Sequence, residues 1–326
     1  MGNLFMQASR SLSTPAPWLR VGLAGALAIG AVSAAFGQSA DRQATHSAIT
    51  GDALFSNDSD HFREARGYLG YLFSNGWGLG GGVTYYGAPD WSARGRGLFG
   101  QCRSADAQQT LSARVGVMDT DGHTTPTGAL DFMRHVTSAT SLGVSAERDV
   151  VDSIKGIENG LTYDSLALVL DHQFTPRFTV GAVAGAMWFS DHNTRPFLRT
   201  RWSYELVQNS GVNAYIKTRH YYDTDPGLGN YYSPRWLGEV SGGLSWRAAL
   251  SDKAVFFVSA DTGRQNTESG GTGIWGARIG LQNHRSRKMQ WQVAVETTNN
   301  HTSGFSSGGD GYRYTSVTGQ LVVPFN

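Results

Sequence analysis

The segment from Met289 to Thr297 alternates strictly between two faces, which is the period of a β-strand with one face in water. One face carries Met289, Trp291, Val293 and Val295, and the other carries Gln290, Gln292, Ala294 and Glu296. The same period recurs, interrupted only by turns, as far as Phe325. A soluble sandwich buries its apolar face, whereas a membrane barrel turns that face to lipid and its polar face to a water-filled lumen. Alternation alone is compatible with both.

The first 37 residues distinguish these two architectures, because they have the pattern of an export signal. Arg10 and Arg20 precede an uncharged run, 21–36, which is short for a membrane-spanning helix and is followed by polar sequence. We therefore predict a signal peptide over residues 1–37 and a β-barrel over residues 38–326. The alternative for the apolar run is an N-terminal membrane anchor. Export combined with alternation favours an all-β, antiparallel transmembrane barrel in the bacterial cell outer membrane.

Composition supports this class and excludes others. Glycine accounts for 42 of the 326 residues, and the single cysteine, Cys102, excludes a disulfide framework. The 27 basic and 26 acidic residues nearly balance, which argues against nucleic acid as a partner. The mean hydropathy is −0.30, a value that a barrel reaches because half of each strand faces water. Partial calcium-loop patterns such as 119–123 are explained by turn chemistry, so we expect no metal and no cofactor.

Sixteen candidate strands lie between residues 44 and 325, and their connections alternate between short turns and longer polar loops. Outer-membrane barrels place short turns in the periplasm and long loops outside the cell. Fourteen strands remain an alternative, because the candidates over 44–56 and 91–102 alternate least clearly. The predicted long loops are 191–196, 223–230, 263–273 and 299–311.

The C-terminal strand resembles the terminal assembly signal of bacterial outer-membrane barrels. Leu321, Val323 and Phe325 share one face, with the aromatic residue close to the chain end. The family pattern usually ends on the aromatic residue itself, whereas this sequence ends on Asn326. The resemblance implies recognition by the barrel-assembly machinery and contact with outer-membrane lipid and lipopolysaccharide.

A second resemblance lies in the motif Tyr231-Tyr232-Ser233-Pro234, which ends a polar loop and opens a long amphipathic strand. With the strands around it, over about residues 195–326, it is similar to the barrel domains of exopolysaccharide-export proteins. These families are the cellulose-export subunit, the poly-N-acetylglucosamine porin and the YaiO-like barrels, and they imply export of a secreted polysaccharide. Their large members carry a periplasmic helical-repeat scaffold, so we expect any such scaffold here to be a separate protein. The alternative is that both tyrosines belong to an aromatic girdle, with the proline at the start of a strand.

Alternation assigns thirteen candidate residues, all but one of them charged, to the lumen. Their basic excess favours neutral or anionic solutes over a polycation, and Tyr215 is expected to stack on sugar rings. The alternative is that opposite charges pair and stiffen the wall. The candidates are Arg96, Arg114, Arg199, Arg201, Glu205, Tyr215, Lys217, Arg219, Arg235, Glu239, Arg247, Arg278 and Glu296. Counting outward from the turn at 208–211 predicts one basic patch, formed by Arg199, Arg201, Lys217 and Arg219.

The sequence therefore predicts an outer-membrane pore for export of a polysaccharide or for passive passage of polar solutes. Two alternatives stay open, an outer-membrane enzyme acting on lipid or lipopolysaccharide and a structural barrel without transport. A lipid hydrolase requires a serine close to a histidine, and although strands carry both, as at Ser203 and His220, no spacing selects a pair. Glycines within 78–82 lie in an alternating strand, so they do not indicate a phosphate loop.

Overall fold

The computed structural model describes residues 46–251, 254–283, 289–300 and 312–325, and the predicted signal peptide lies outside them. The strands form one antiparallel sheet, in which β1 pairs with β16 and closes a barrel. No helix in these ranges is long and apolar enough to cross a membrane. One short helix, α1 (Ile154–Glu158), lies between β7 and β8. The strands are β1 (Ser47–Asp58), β2 (Arg63–Leu72), β3 (Trp77–Ala88), β4 (Trp91–Ala105), β5 (Gln109–Thr120), β6 (His123–His135), β7 (Thr140–Val150), β8 (Thr162–Thr175), β9 (Phe178–Phe189), β10 (Thr194–Glu205), β11 (Val212–Tyr222), β12 (Trp236–Ser251), β13 (Ala254–Thr267), β14 (Gly270–Asn283), β15 (Gln290–Thr298) and β16 (Tyr314–Phe325).

The predicted number of sixteen strands is confirmed, including the two least regular candidates. β1 pairs with both β2 and β16, and β4 pairs with both β3 and β5, so the alternative of fourteen strands is wrong. Closure has a physical reason, because lipid offers no hydrogen bonds to an unpaired sheet edge. Each strand therefore finds a partner on both sides.

The outer face of the barrel is apolar. Leu98 and Val115 are 77% and 70% exposed, whereas Thr50 and Gln101, which face the lumen, are 3% and 6% exposed. A soluble monomer does not expose an apolar belt of this extent, but lipid requires one. Aromatic side chains border the belt on both sides. Trp77, Phe174 and Trp246 lie towards the turns, and Tyr85, Trp188 and Trp236 lie towards the loops. The fold is that of a transmembrane barrel of the bacterial outer membrane, as predicted.

The two ends of the barrel differ in their connections, although less than predicted. Both described termini lie at one end, called here the turn end, where every connection has between two and six residues. The opposite, loop end carries the longer connections 151–161, 223–235 and 299–313. The long loop predicted over 263–273 is wrong, because β13 and β14 continue through it to the pair Thr267 and Gly270. The loop predicted over 191–196 shortens to 190–193, and residues 301–311 lie outside the described part of the chain.

Turn chemistry accounts for the partial calcium-loop pattern. Asp121 and Gly122 both have positive φ, 52° and 83°, and join β5 to β6. An Asp-Gly pair is favoured in such two-residue hairpins, because both positions require the left-handed region. Across the described residues, no three His, Cys, Asp or Glu side chains are grouped to hold a metal ion.

The last strand presents its predicted apolar face to lipid. Val317 and Leu321 are exposed there, and the ring of Phe325 lies 5.6 Å from that of Tyr71 on the outer wall. The pair between Phe325 and Ser47 lies at the turn end, where the last strand meets the first. The geometry that the predicted assembly signal requires is therefore present, and its recognition by the assembly machinery stays a prediction.

Candidate functional site: the lumen and two loops at its mouth

The structure places eleven of the thirteen candidate residues on the lumen face of the strands. These residues share the phase of buried lumen positions such as Gln101, Ser203 and Gln292. They are Arg114, Arg199, Arg201, Glu205, Tyr215, Lys217, Arg219, Glu239, Arg247, Arg278 and Glu296.

The assignment of Arg96 to the lumen is wrong. Arg96 is exposed on the outer face, where its neighbour across the ladder is Val83, itself 64% exposed. The lumen phase of β4 is instead Ala93, Gly95, Gly97 and Phe99. Small residues occupy it because side chains of neighbouring strands fill that space; a Cβ on Gly95 would lie 3.1 Å from the Thr120 hydroxyl.

The assignment of Arg235 to the wall is also wrong. Arg235 precedes the first residue of β12 and is exposed at the loop end. Its backbone N–H donates to Glu268 Oε1 over 2.9 Å, and its carbonyl accepts from the Asp223 N–H over 3.2 Å. The residue therefore closes the base of a loop and does not line the lumen.

The four residues of the predicted basic patch have the expected strand register, but carboxylates neutralise more of their positive charge than expected. Arg199 lies opposite Arg219 and Arg201 lies opposite Lys217. The Arg219 guanidinium binds Glu239 through two hydrogen bonds, the Nε–Oε2 distance being 2.8 Å. The Lys217 Nζ lies 2.9 Å from Asp261 Oδ2 on β13. Two of the four cations are thus paired with carboxylates, and the patch retains a positive excess.

Tyr215 is held by the wall and does not offer its ring to a passing sugar. The Arg201 guanidinium lies 3.8 Å from the centroid of this ring, and the tyrosine hydroxyl donates to Asp261 Oδ2 over 2.9 Å. The side chain is 4% exposed. The expected sugar contact is therefore wrong, and Tyr215 acts as a support for Arg201.

Two further candidates stabilise the wall. Glu205 Oε1 accepts the backbone N–H of Gly211 over 3.1 Å and so closes the turn between β10 and β11. Arg278 lies 3.6 Å from Glu296 on the neighbouring strand. The contact between Arg278 and Glu296 supports the alternative that opposite charges on the wall pair with one another.

Charge is segregated around the lumen, so the predicted basic excess holds for one half of the barrel only. The wall of β1–β8 is mainly acidic, and the wall of β9–β15 is mainly basic. Two facing walls of opposite sign produce a field across the pore. The acidic half carries Asp52, Asp58, Glu64, Asp131, Glu147, Asp149 and Asp171 against Arg66, Arg103 and Arg114. The basic half carries Arg195, Arg199, Arg201, Lys217, Arg219, Arg247 and Arg278 against Glu205, Glu239, Asp261 and Glu296.

Aromatic rings lie between the charges of the acidic half. Gly80 and Gly82 leave space for the rings of Phe99 and Tyr68, since a Cβ on either glycine would lie 2.3 Å from a ring atom. The Arg114 guanidinium lies over both rings, 4.2 Å from the centroid of Tyr68 and 5.4 Å from that of Phe99. The glycines of β3 are thus packing positions in a strand, as predicted.

The connection 151–161, called here the helical loop, folds into the mouth of the barrel. Ser153 caps α1 by accepting the Gly156 N–H over 3.0 Å, as serine commonly does at a helix N-terminus. Ile157 is 1% exposed and packs with Tyr86 on the lumen face of β3. Val151 is fully buried against a second apolar cluster on the opposite wall. The loop therefore crosses the lumen instead of projecting into solvent.

The connection 223–235, called here the tyrosine loop, enters the mouth from the other side. The Tyr231 ring stacks on Phe189, with centroids 4.5 Å apart and an interplanar angle of 16°. Its hydroxyl accepts from Asn193 Nδ2 over 3.0 Å and donates to Asp191 Oδ1 over 3.1 Å. Asn193 itself is completely buried. The motif tyrosines lie inside the mouth and not in a girdle, so the girdle alternative is wrong.

A buried ion pair fastens the tyrosine loop to the wall. Arg195 Nε lies 2.8 Å from Asp223 Oδ1, and the Arg195 Nη2 donates to the backbone carbonyl of Tyr232 over 2.6 Å. The guanidinium also lies 4.5 Å from the centroid of the Tyr221 ring. Burial raises the pKa of the Asp223 carboxyl, and the nearby Arg195 guanidinium opposes that shift.

The two loops bind each other across the opening. The Ser153 hydroxyl donates to the carbonyl of Asn230 over 2.6 Å, and Asn159 Nδ2 lies 3.4 Å from Asn230 Oδ1. On the basic side, Asn300 accepts from Arg219 Nη2 over 2.9 Å and donates to Glu239 Oε2 over 3.0 Å. These contacts link segments that are far apart in sequence and narrow the mouth.

Sequence reasoning missed the residues that close the mouth. Arg195 and Asp223 fell inside predicted loops. Asn193 is buried and binds Asp223, Thr224 and Asp225, which lie 30 to 32 residues further along the chain. A signal was present, because Ile154 and Ile157 in 151–161 are unusual for a solvent-exposed loop. Apolar residues in such a connection indicate a loop that packs against the barrel.

The enzyme alternative loses the pair that the sequence suggested. Ser203 is buried on the lumen face, whereas His220 shares the outward phase of Ile216 and Tyr222. A different pair does form, His135 Nδ1 and Ser141 Oγ at 2.7 Å, on the lumen side of β6 and β7. A lipid hydrolase requires its pair on the lipid-facing surface, which these two residues do not reach.

Among the comparisons with known proteins, one solved structure supports the fold. No family model and no curated protein matches the sequence. A solved structure described as a bacterial polysaccharide outer membrane secretin matches 88% of this chain and 100% of its own, with 14% identity and a TM-score of 0.66. OmpT of Vibrio cholerae matches 85% of this chain and 96% of its own (10% identity, TM-score 0.41), and the NanC porin matches 85% and 100% (9%, 0.38). The first similarity confirms, for the fold, the predicted likeness to a polysaccharide-export barrel.

Proposed function

We propose that this chain is an outer-membrane pore for a secreted polysaccharide and that its two folded loops hold the mouth closed at rest. The observation that carries the proposal is the apolar cluster inside the barrel, where Val151 and Tyr231 of the loops are buried against Phe189 and Leu237 of the wall. Loops can leave such a site without breaking a strand pair. A structural barrel would instead fill its interior with wall side chains.

The lumen chemistry suits a hydrated polymer. Guanidinium groups supply only donors and carboxylates supply only acceptors, so facing basic and acidic walls offer both kinds of partner to sugar hydroxyls. The solved structure described as a polysaccharide secretin supports a polymer over a small solute. Passive passage of small polar solutes is the coarser form of the same proposal, and it requires the same opening.

Delivery of the polymer would take place at the turn end, which faces the periplasm in this orientation. The resemblance to exopolysaccharide-export proteins suggests a separate periplasmic helical-repeat scaffold as the partner there. Co-purification of the barrel with such a protein would support this part of the proposal, and export that proceeds without one would contradict it.

Liposome swelling tests the pore directly. The full chain and a variant in which 225–230 is replaced by two glycines are reconstituted, and the entry of neutral oligosaccharides of increasing length is followed. We expect slow entry for the wild type and faster entry of longer oligosaccharides for the variant. Heat-modifiable migration on gels serves as the folding control.

Two results would overturn the proposal. A folded variant with a shortened loop that still admits no monosaccharide would indicate a structural barrel. Hydrolysis of a phospholipid by the reconstituted wild type, abolished by Ser141→Ala, would indicate that the 2.7 Å contact between His135 and Ser141 belongs to an enzyme.

A further inference from the structure

Three arginines project from the outer wall close to the loop end. Arg63 is the first residue of β2, Arg94 and Arg96 lie near the start of β4, and all three are exposed. We call this set the arginine stripe, because its members step diagonally across β2–β4. Their neighbours on β3 are Gly87 for Arg63, Tyr85 for Arg94 and Val83 for Arg96.

The charge of the arginine stripe is not neutralised within the described residues. None of the three arginines has a carboxylate at ion-pairing distance in these ranges, whereas Arg148, an outward arginine of β7, binds Asp164 over 3.1 Å. Asp119 lies opposite Arg96 across the ladder and carries one negative charge, although its carboxylate is hydrogen-bonded to the Thr124 hydroxyl over 3.0 Å and forms no ion pair with Arg96. Three arginines against this one carboxylate leave a net positive charge on a lipid-facing surface.

The depth of the stripe matches a membrane interface. Leu98, 77% exposed, continues the apolar belt on the side towards the turn end, and Val83, 64% exposed, lies at the level of Arg96 at the margin of the belt. Tyr85, an aromatic residue of the outer border, lies directly opposite Arg94. Arginine on the lipid face is costly at the bilayer centre and costs little near the interface. Outer-membrane barrels place their longer loops on the outside of the cell, so the stripe, which is close to the loop end, lies in the outer leaflet.

We propose that the arginine stripe binds the phosphate groups of lipopolysaccharide, with the acyl chains lying on the adjacent apolar belt. A guanidinium group can donate two parallel hydrogen bonds to one phosphate group, so arginine is well suited to bind phosphate. Several unpaired guanidinium groups above an apolar wall match a ligand that combines phosphates with fatty acyl chains. Tyr85 between the arginines adds a polar hydroxyl at the same depth. The assignment is independent of the proposed pore.

Binding of lipid A tests this proposal. The purified full-length barrel in detergent is titrated with bis-phosphorylated lipid A, with enzymatically dephosphorylated lipid A and with inorganic phosphate, and complexes are followed by native mass spectrometry. We expect retention of bis-phosphorylated lipid A alone. The double variant Arg94→Gln/Arg96→Gln should bind it about tenfold to a hundredfold more weakly, because it loses two charge-assisted contacts.

The matched control is Arg134→Gln, since Arg134 is an exposed outward arginine near the turn end. This variant should retain wild-type affinity, and heat-modifiable migration should show that both variants are folded. Equal affinity of the double variant and the wild type would overturn the proposal. Equal binding of dephosphorylated lipid A would show that acyl contacts alone hold the lipid, and saturation by inorganic phosphate would indicate an anion site that does not recognise lipid.

Discussion

Replacing Tyr231 by alanine should open the mouth of the barrel. The side chain is 6% exposed and stacks on Phe189 at 4.5 Å, so its removal resembles the loss of a core aromatic residue, which costs about 3–5 kcal/mol. The cost falls on the closed state only, because the open loop leaves this residue in water. At about 1.4 kcal/mol per factor of ten, even 3 kcal/mol lowers the closed-to-open ratio by about a hundredfold. A pore that is open about 1% of the time would then be open about half of the time.

Single-channel recording in planar bilayers measures this change as open probability, and two variants separate its causes. Tyr231→Phe keeps the stacked ring and removes only the hydroxyl, so we expect an effect of about 1 kcal/mol, which is about fivefold. Tyr222→Ala is the matched control, since this neighbouring tyrosine faces lipid and is 54% exposed. A folded Tyr231→Ala barrel with wild-type open probability would refute the view that the tyrosine loop closes the mouth.

Three further predictions concern assembly, selectivity and pH. Phe325→Asp should impair insertion while Phe325→Leu does not, as measured by heat-modifiable migration, because the residue faces lipid beside Tyr71; equal insertion of both variants would contradict this. Asp261→Asn should move the reversal potential towards anion preference, because it leaves the Lys217 ammonium without its 2.9 Å partner; an unchanged potential would mean that this level does not set the field. Burial, together with repulsion from Glu64 and Asp149, raises the pKa of Asp152 well above its ordinary value of 3.8, and the Arg66 guanidinium opposes this shift. The closed mouth therefore favours the protonated form of Asp152. Closure should therefore be strongest at low pH and weaken as pH rises above 3.8 through the raised pKa, so that open probability increases, and Asp152→Asn should remove this dependence.

The strands could be predicted from the sequence because lipid imposes a strict rule on them. Most of the described strands expose an apolar face to hydrocarbon, so apolar residues recur at every second position, as at Val293 and Val295. Strand register followed from the same rule where a short turn fixed it, which is why Arg201 and Lys217 face each other as predicted. The even strand number follows from having both described termini at the turn end.

For some strands, the sequence could not predict which face points to the lumen, because both faces carry similar residues. In β13, Phe256 and Phe257 adjoin, and the lumen carboxylate Asp261 lies in a stretch that ends in glycine and polar residues. In β4, arginine alternates with small residues, and charge suggested the lumen. In the structure, Arg94 and Arg96 face lipid instead, because side chains of neighbouring strands already occupy the interior there. The sequence of β4 alone does not contain that information.

The motif at residues 231–234 shows why a resemblance can point to the right place for a different reason. From the sequence, its residues indicate a likeness to polysaccharide-export barrels or, alternatively, an aromatic girdle, and in the structure they belong to the tyrosine loop inside the mouth. Tyr231 stacks on the wall, the Tyr232 carbonyl accepts from Arg195, and the Ser233 hydroxyl and carbonyl both accept the Gly227 N–H, over 3.0 and 2.8 Å. Pro234, which has no N–H to leave unpaired, is buried just before β12 begins. Because these contacts fix a loop and leave the strands intact, their loss should change how often the pore opens without changing whether the barrel forms.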